Sequence, residues 1–172
     1  TSKLPMKRLK IFIICILLAS CSESNSVNNS NSNVQVTTQS DQNQEALMDQ
    51  VIALINSDKE EQALPILLKL AEAGNPKAQN HLGLMYQYGY GKNQQNTIDH
   101  VRAKYWLEQA KKKNYPTAIH NLGVLIYNEA TTDGESETAL NLFIKAATLN
   151  HYESYNFIGN YYNEGIIYPK NF

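Results

Sequence analysis

One pattern returns along most of this chain, and its period limits the folds available. Ala78, Leu82, Gly83 and Tyr86 recur as Ala118, Leu122, Gly123 and Ile126, then as Ser154, Ile158, Gly159 and Tyr162. A second set, Ala103, Trp106, Leu107 and Ala110, recurs downstream as Ala139, Leu142, Phe143 and Ala146, and upstream as Ala63, Ile66, Leu67 and Leu70. Both sets have helical spacing. Each period of 40 or 36 residues therefore reads as helix, turn, helix, the length difference falling in one loop. Repeats of this size stack, because a lone helix pair cannot bury its apolar face.

The joints carry their own signals. Ser57 and Glu60 form a capping-box pattern, and Thr97 and Asp133 align with Ser57 as N-cap residue types. Gly74, Asn114 and Asn150 align after the second helices, where a left-handed residue closes a helix. Pro76 and Pro116 follow at the next first turn, where proline loses no hydrogen bond. Gly83, Gly123 and Gly159 lie inside helices, at a cost of about 1 kcal/mol each against alanine. That cost predicts close backbone approach, to Ala103 and Ala139 of the second helices. Gly89, Gly91 and Gly165 fit the turn within each unit. Leu82, Leu84, Met85, Tyr86, Trp106, Leu107, Leu122, Leu125, Leu142, Phe143 and Ile158 are the expected core. Trp106 belongs there because its repeat mates are Ile66 and Leu142.

The pattern A-x-x-x-L-G-x-x-Y-x-x-G-x-G, followed by A-x-x-W-x-x-x-A, resembles the Sel-1-like repeat, a relative of the tetratricopeptide repeat. The unit at 75–116 fits best; the unit at 117–152 departs, with Glu129 at a loop-glycine position and Ile126 for tyrosine. The resemblance implies an all-α fold, a short right-handed α-α solenoid of helix-turn-helix repeats that binds other proteins; it does not imply a reaction. Residues 44–74 read as an N-terminal capping pair, its first helix spanning Glu45 to Asn56, and 153–172 as an incomplete unit. The last unit shows a first helix from Tyr155 to Glu164 and a loop, so it reads either as an unusual cap or as the edge of a fragment. An unpaired last helix would expose Phe157, Ile158 and Tyr161.

Residues 1–20 read as a lipoprotein-type signal peptide with Met6 as initiator. Lys7, Arg8 and Lys10 precede an apolar run, Ile11 to Ala19, too short for a bilayer span of about 20 residues. Leu18-Ala19-Ser20-Cys21 resembles the bacterial lipobox, which implies cleavage before Cys21 and acylation of its thiol and new amine. Ser22, not Asp, follows the cysteine, which by the same resemblance implies the outer membrane, periplasmic side. Cys15 would leave with the signal, so the remaining domain would hold no disulfide. Residues 21–43, rich in Ser, Asn and Gln, are expected to be a disordered tether.

Of 15 basic residues, four lie before Cys21, leaving 11 against 16 acidic ones. Such a balance disfavours nucleic acid, which needs clustered positive charge. The one basic run, Lys111 to Lys113, suits a helix C-terminus. His81, His100, His120 and His151 form no metal-ligand spacing, and Asp133, Glu135 and Glu137 read as a solvated helix start. No motif calls for a cofactor or a catalytic residue. Tyrosine is over-represented, with 11 against four phenylalanines. Tyr86 and Tyr162 are expected in the core, whereas Tyr88, Tyr90, Tyr105, Tyr152 and Tyr161 read either as a partner-binding surface or as cover for the solenoid edge. These readings point to a non-catalytic, lipid-anchored scaffold or adaptor for a protein partner. The resemblance also admits an immunity protein against a periplasm-acting toxin such as a phospholipase and, remotely, a hydrolase.

Overall fold

The computed structural model describes residues 39–89 and 98–163. Seven helices follow one another there: α1 Gln39–Asn56, α2 Glu60–Glu72, α3 Pro76–Tyr88, α4 His100–Lys112, α5 Pro116–Glu129, α6 Asp133–Thr148 and α7 Ser154–Asn163. No strand occurs among the described residues. Cys21, Tyr90, Gly91, Thr97 and Gly165 lie outside them.

The joints follow from local backbone chemistry. Gly74, Asn114 and Asn150 all have positive φ, at 87°, 54° and 67°. After each, the next backbone N–H reaches back to a helix carbonyl: Asn75 to Leu70 at 3.0 Å, Tyr115 to Ala110 at 3.3 Å and His151 to Ala146 at 3.0 Å. This is a Schellman closure at three aligned positions. Pro76 and Pro116 then open α3 and α5 at their first turn. Asn75 caps α3, its Oδ1 accepting from Ala78 N at 3.0 Å.

Three expected caps are corrected. Ser57 and Glu60 form no capping box. Instead α1 ends in a left-handed residue, Asp58 at φ 55°, and Lys59 N donates to Leu54 O at 2.9 Å. Ser57 is absorbed into that closure, its hydroxyl donating to Ala53 O at 2.8 Å, so α2 starts without a side-chain cap. Asp99, not Thr97, caps α4. In the third case Thr132, not Asp133, is the N-cap of α6, in a capping box with Glu135. Helix α1 also begins at Gln39, inside the expected tether. Its first turns are held against α3: Asn75 Nδ2 donates to Gln44 Oε1 at 3.0 Å, and Lys77 Nζ to Glu45 Oε1 at 3.3 Å.

Consecutive helices pack on each other, and α3 also touches α5 across the repeat boundary. The core runs along the stack. Met48, Val51, Ile55, Leu67, Leu82 and Met85 bury against one another at one end. Leu107, Ile119, Leu122 and Leu125 form the middle. Leu140, Phe143 and Tyr161 close the far end. Trp106, Tyr86 and Ile158 are half-buried at its edges rather than central.

Two of the three helix glycines are sites of close approach. A methyl on Gly83 would lie 2.7 Å from Leu107 Cγ and 3.3 Å from Ala103 O. One on Gly123 would lie 2.9 Å from Phe143 Cε1, so Phe143 fills the place expected of Ala139. Gly159 is the exception: a methyl there meets nothing within 4 Å. Its expected packing role is therefore not realised.

Gly83→Ala is expected to destabilise, because overpacking of about 1–3 kcal/mol exceeds the helix-propensity gain of about 1 kcal/mol. Gly83→Leu should lower the melting temperature by roughly 10 °C or more. Gly159→Ala should leave it unchanged or raise it. Thermal melts by circular dichroism decide this; equal effects at Gly83 and Gly159 would refute the packing difference.

Candidate interaction surface

Helix α4 has two apolar stripes. Ala103, Leu107 and Ala110 are fully buried against α3 and α5. On the opposite side Val101 and Tyr105, at i, i+4 spacing, lie exposed, at 82% and 55%; Ile98, which precedes the N-cap Asp99 and lies outside the helix, is 61% exposed. Residues so spaced share one helix face. A soluble helix normally presents polar groups there.

The stripe sits on a rigid mount. Tyr105 meets Trp106 edge-on, with ring centroids 5.0 Å apart, and Trp106 packs on the core beneath. Asp99 N donates to Tyr86 O at 2.9 Å, tying the start of α4 to the end of α3. Asp99 Oδ1 accepts from Arg102 N at 2.8 Å, and Arg102 Nε donates to Oδ2 at 2.6 Å. These donors, the backbone N–H of Arg102 first, hold the Asp99 carboxyl below its ordinary range. The Arg102 guanidinium also lies 4.5 Å from the centre of the Tyr86 ring.

The expected tyrosine surface divides. Tyr105 is exposed on α4 and Tyr152 just before α7, whereas Tyr88 is half-buried at the end of α3. Tyr161 is corrected: it is only 1% exposed, packed beside Tyr127 and Phe143. Tyr162 is corrected in the opposite sense, 59% exposed where core was expected. Gly89 takes the turn role expected of it, closing α3 at φ 76°. Ile98 and Val101 were not singled out from sequence. The signal for Val101 was its i, i+4 spacing with Tyr105 on α4, masked by the stronger set that matches the repeat.

The buried polar groups link repeats. Asn121 Nδ2 donates to Asn80 Oδ1 at 2.8 Å, joining α5 to α3. Ser154 Oγ lies 2.9 Å from His120 Nδ1 and 3.1 Å from His151 Nδ1, and the two imidazoles stack at 4.4 Å. A serine beside a histidine is the arrangement of a nucleophile and its base. Ser154 is fully buried, however, so in this conformation the contact joins α7 to α5 and reaches no substrate. Among the described residues no group of three His, Cys, Asp or Glu side chains could hold a metal ion. No helix there is long and apolar enough to cross a membrane.

Residues 76–115 and 116–151 each match the Sel1 repeat. They correspond to α3–α4 and α5–α6. The crystal structure of a Sel1 repeat protein from Oxalobacter formigenes resembles the chain with a TM-score of 0.57 over 91% of its length, at 23% identity. The chain spans 61% of that protein's length, so the likeness concerns the fold. No curated protein sequence matches the chain. Sel1 repeats generally serve protein–protein interaction rather than catalysis.

Burial makes the repeats acid-sensitive. Desolvation, with Lys77 nearby, lowers His81 to about 4, and desolvation, with His151 nearby, lowers His120 to about 3. The unfolded chain therefore binds more protons than the folded one below about pH 6.5, and stability falls as pH falls. Between pH 6.5 and 5 each histidine should remove on the order of 2 kcal/mol. Urea unfolding at the two pH values tests this; equal midpoints would refute it. His120→Gln should weaken the dependence.

Proposed function

We propose that this protein is a lipid-anchored, non-catalytic adaptor that binds a protein partner through the outer face of α4. The observation that carries the reading is the exposed pair Val101 and Tyr105, held on a buttressed helix of a segment that matches the Sel1 repeat, with Ile98 exposed just before its N-cap. Val101 and Tyr105, one turn apart on α4, match the way one helix presents itself to an apolar groove. Full burial of such side chains contributes about 1.5–3 kcal/mol each before the costs of association. Tyr105 adds a rigid aromatic with a polar tip.

The anchor rests on Leu18-Ala19-Ser20-Cys21 and the basic-then-apolar segment before it. Acylation at Cys21 would tie the repeats to the periplasmic side of the outer membrane, with residues 22–38 between lipid and helices. A membrane-held adaptor gains from this arrangement, because tethering raises the effective concentration at a partner in the same envelope.

Two measurements test the two halves separately. Cys21→Ser should move the protein from the membrane to the soluble fraction; continued membrane retention would remove the lipid anchor from the reading. Crosslinking of the full chain in its own cells, followed by purification, should recover an envelope protein. Val101→Glu combined with Tyr105→Ala should cut that recovery at least tenfold with no change in melting temperature. Recovery unaffected by this pair would reject the α4 face. Recovery of a secreted toxin whose activity the protein abolishes would replace the adaptor with an immunity role.

A further inference from the structure

The outward face of α4 departs from those of its repeat mates, α2 and α6, and each departure makes it less negative or more positive. Aligned on Ala63, Ala103 and Ala139, Val101 stands where α2 and α6 carry the exposed Glu61 and Glu137. Lys104 is exposed where they bury Leu64 and Leu140. Lys112 is exposed where they have Glu72 and Thr148. The helix-pair fold therefore does not require these side chains. Val101, Tyr105 and Lys112 lie at i, i+4 and i+11, on one side of the helix, with Lys104 at its flank.

Positive charge is concentrated on the same segment. Arg102, Lys104 and Lys111 to Lys113 are five of the 11 basic residues after Cys21. The two carboxylates there are already committed, Asp99 to Arg102 at 2.6 Å and Glu108 to Lys111 at 3.0 Å. Lys112 Nζ donates to the neutral Gln109 side chain, and Lys104 and Lys113 meet no carboxylate among the described residues. The helix dipole does not account for this surplus, because a single cation serves the last turn of α2 (Lys69) and of α6 (Lys145).

We infer that the partner segment seated on this face is acidic, with an apolar side chain against Val101 and Tyr105 and carboxylates facing Lys104 and Lys112. The inference rests on the reading of α4 as the binding face and names the chemistry that this face selects. From Tyr105 to Lys112 the helix rises about 10 Å, so a partner helix offers its apolar and acidic groups about two turns apart. An apolar centre with a charged rim is the usual anatomy of a protein–protein interface. Lysines facing carboxylates speed encounter and disfavour basic competitors. A flat anionic membrane fits less well. It would also meet the exposed Glu61 and Glu137, at the Val101 position of the adjoining helix pairs, whereas a single segment lying along α4 avoids them.

The test uses the full chain in its own cells, with a benzophenone-bearing residue in place of Gln109, which borders the face. After irradiation, mass spectrometry identifies the crosslinked segment as well as the protein it belongs to. That segment is expected to carry several Asp or Glu side chains beside an apolar one. Lys104→Glu combined with Lys112→Glu should cut the crosslink about tenfold, whereas Lys104→Arg with Lys112→Arg should preserve it. Both pairs should keep the parent melting temperature, because the two lysines are exposed. A captured segment without acidic side chains overturns the proposal. So does a crosslink indifferent to charge reversal, or one to phospholipid alone, which would make the face a membrane contact. Loss of the crosslink in Val101→Glu with Tyr105→Ala, but not in the charge-reversal pair, would keep the adaptor reading and reject the acidic partner. No crosslink at all overturns both.

Discussion

The fold depends on one contact made twice: a bulky side chain of a second helix seated on a glycine of the first. Leu107 over Gly83 and Phe143 over Gly123 bring the paired backbones together. Close-packed interiors tolerate little added volume at such a point. The helix-propensity cost of each glycine is offset by burial of whole side chains around it, including Leu82, Leu107, Leu122 and Phe143. Each pair then buries its remaining face on the next pair, so the stack is stable only as a series.

Apolar packing alone would let neighbouring repeats slide. A layer of buried polar contacts supplies register. Asn80 to Asn121, and His120 to Ser154 to His151, each join elements 34 or more residues apart or close the joint beside them. A buried donor or acceptor left without its partner costs about 1–3 kcal/mol, so displacement of one repeat against another is resisted. The same burial keeps His81 and His120 neutral, and the repeat architecture thereby becomes coupled to pH.

The surface of this solenoid is shaped by what the core does not need. Helix α4 commits Ala103, Leu107 and Ala110 inward and presents Val101 and Tyr105 outward. Helix α7 commits Tyr161 and Phe157 inward and leaves Tyr155, Gly159 and Tyr162 free. Both surfaces stand on helices anchored elsewhere by aromatic contacts. Neither shows the convergence of polar groups that a reaction centre requires.

The sequence by itself determined the helical repeat and most of its joints. Left-handed residues at Gly74, Asn114 and Asn150, and prolines at 76 and 116, act through a few neighbouring dihedrals, so their effect is local and readable. The Ser57 pattern misled because two local motifs competed, and closure of α1 at Asp58 prevailed over a cap on α2. Of the candidate surface, Tyr105 and Tyr152 were legible as tyrosines outside the repeat pattern. Only the tertiary structure decided that Tyr161 is buried and Tyr162 exposed, although they are adjacent. Adjacent residues point about 100° apart on a helix, and which direction is inside depends on where α5 and α6 lie. Gly159 shows the same limit. Its motif matches Gly83 and Gly123, but a close contact needs a second surface, and that surface is a property of the assembled stack.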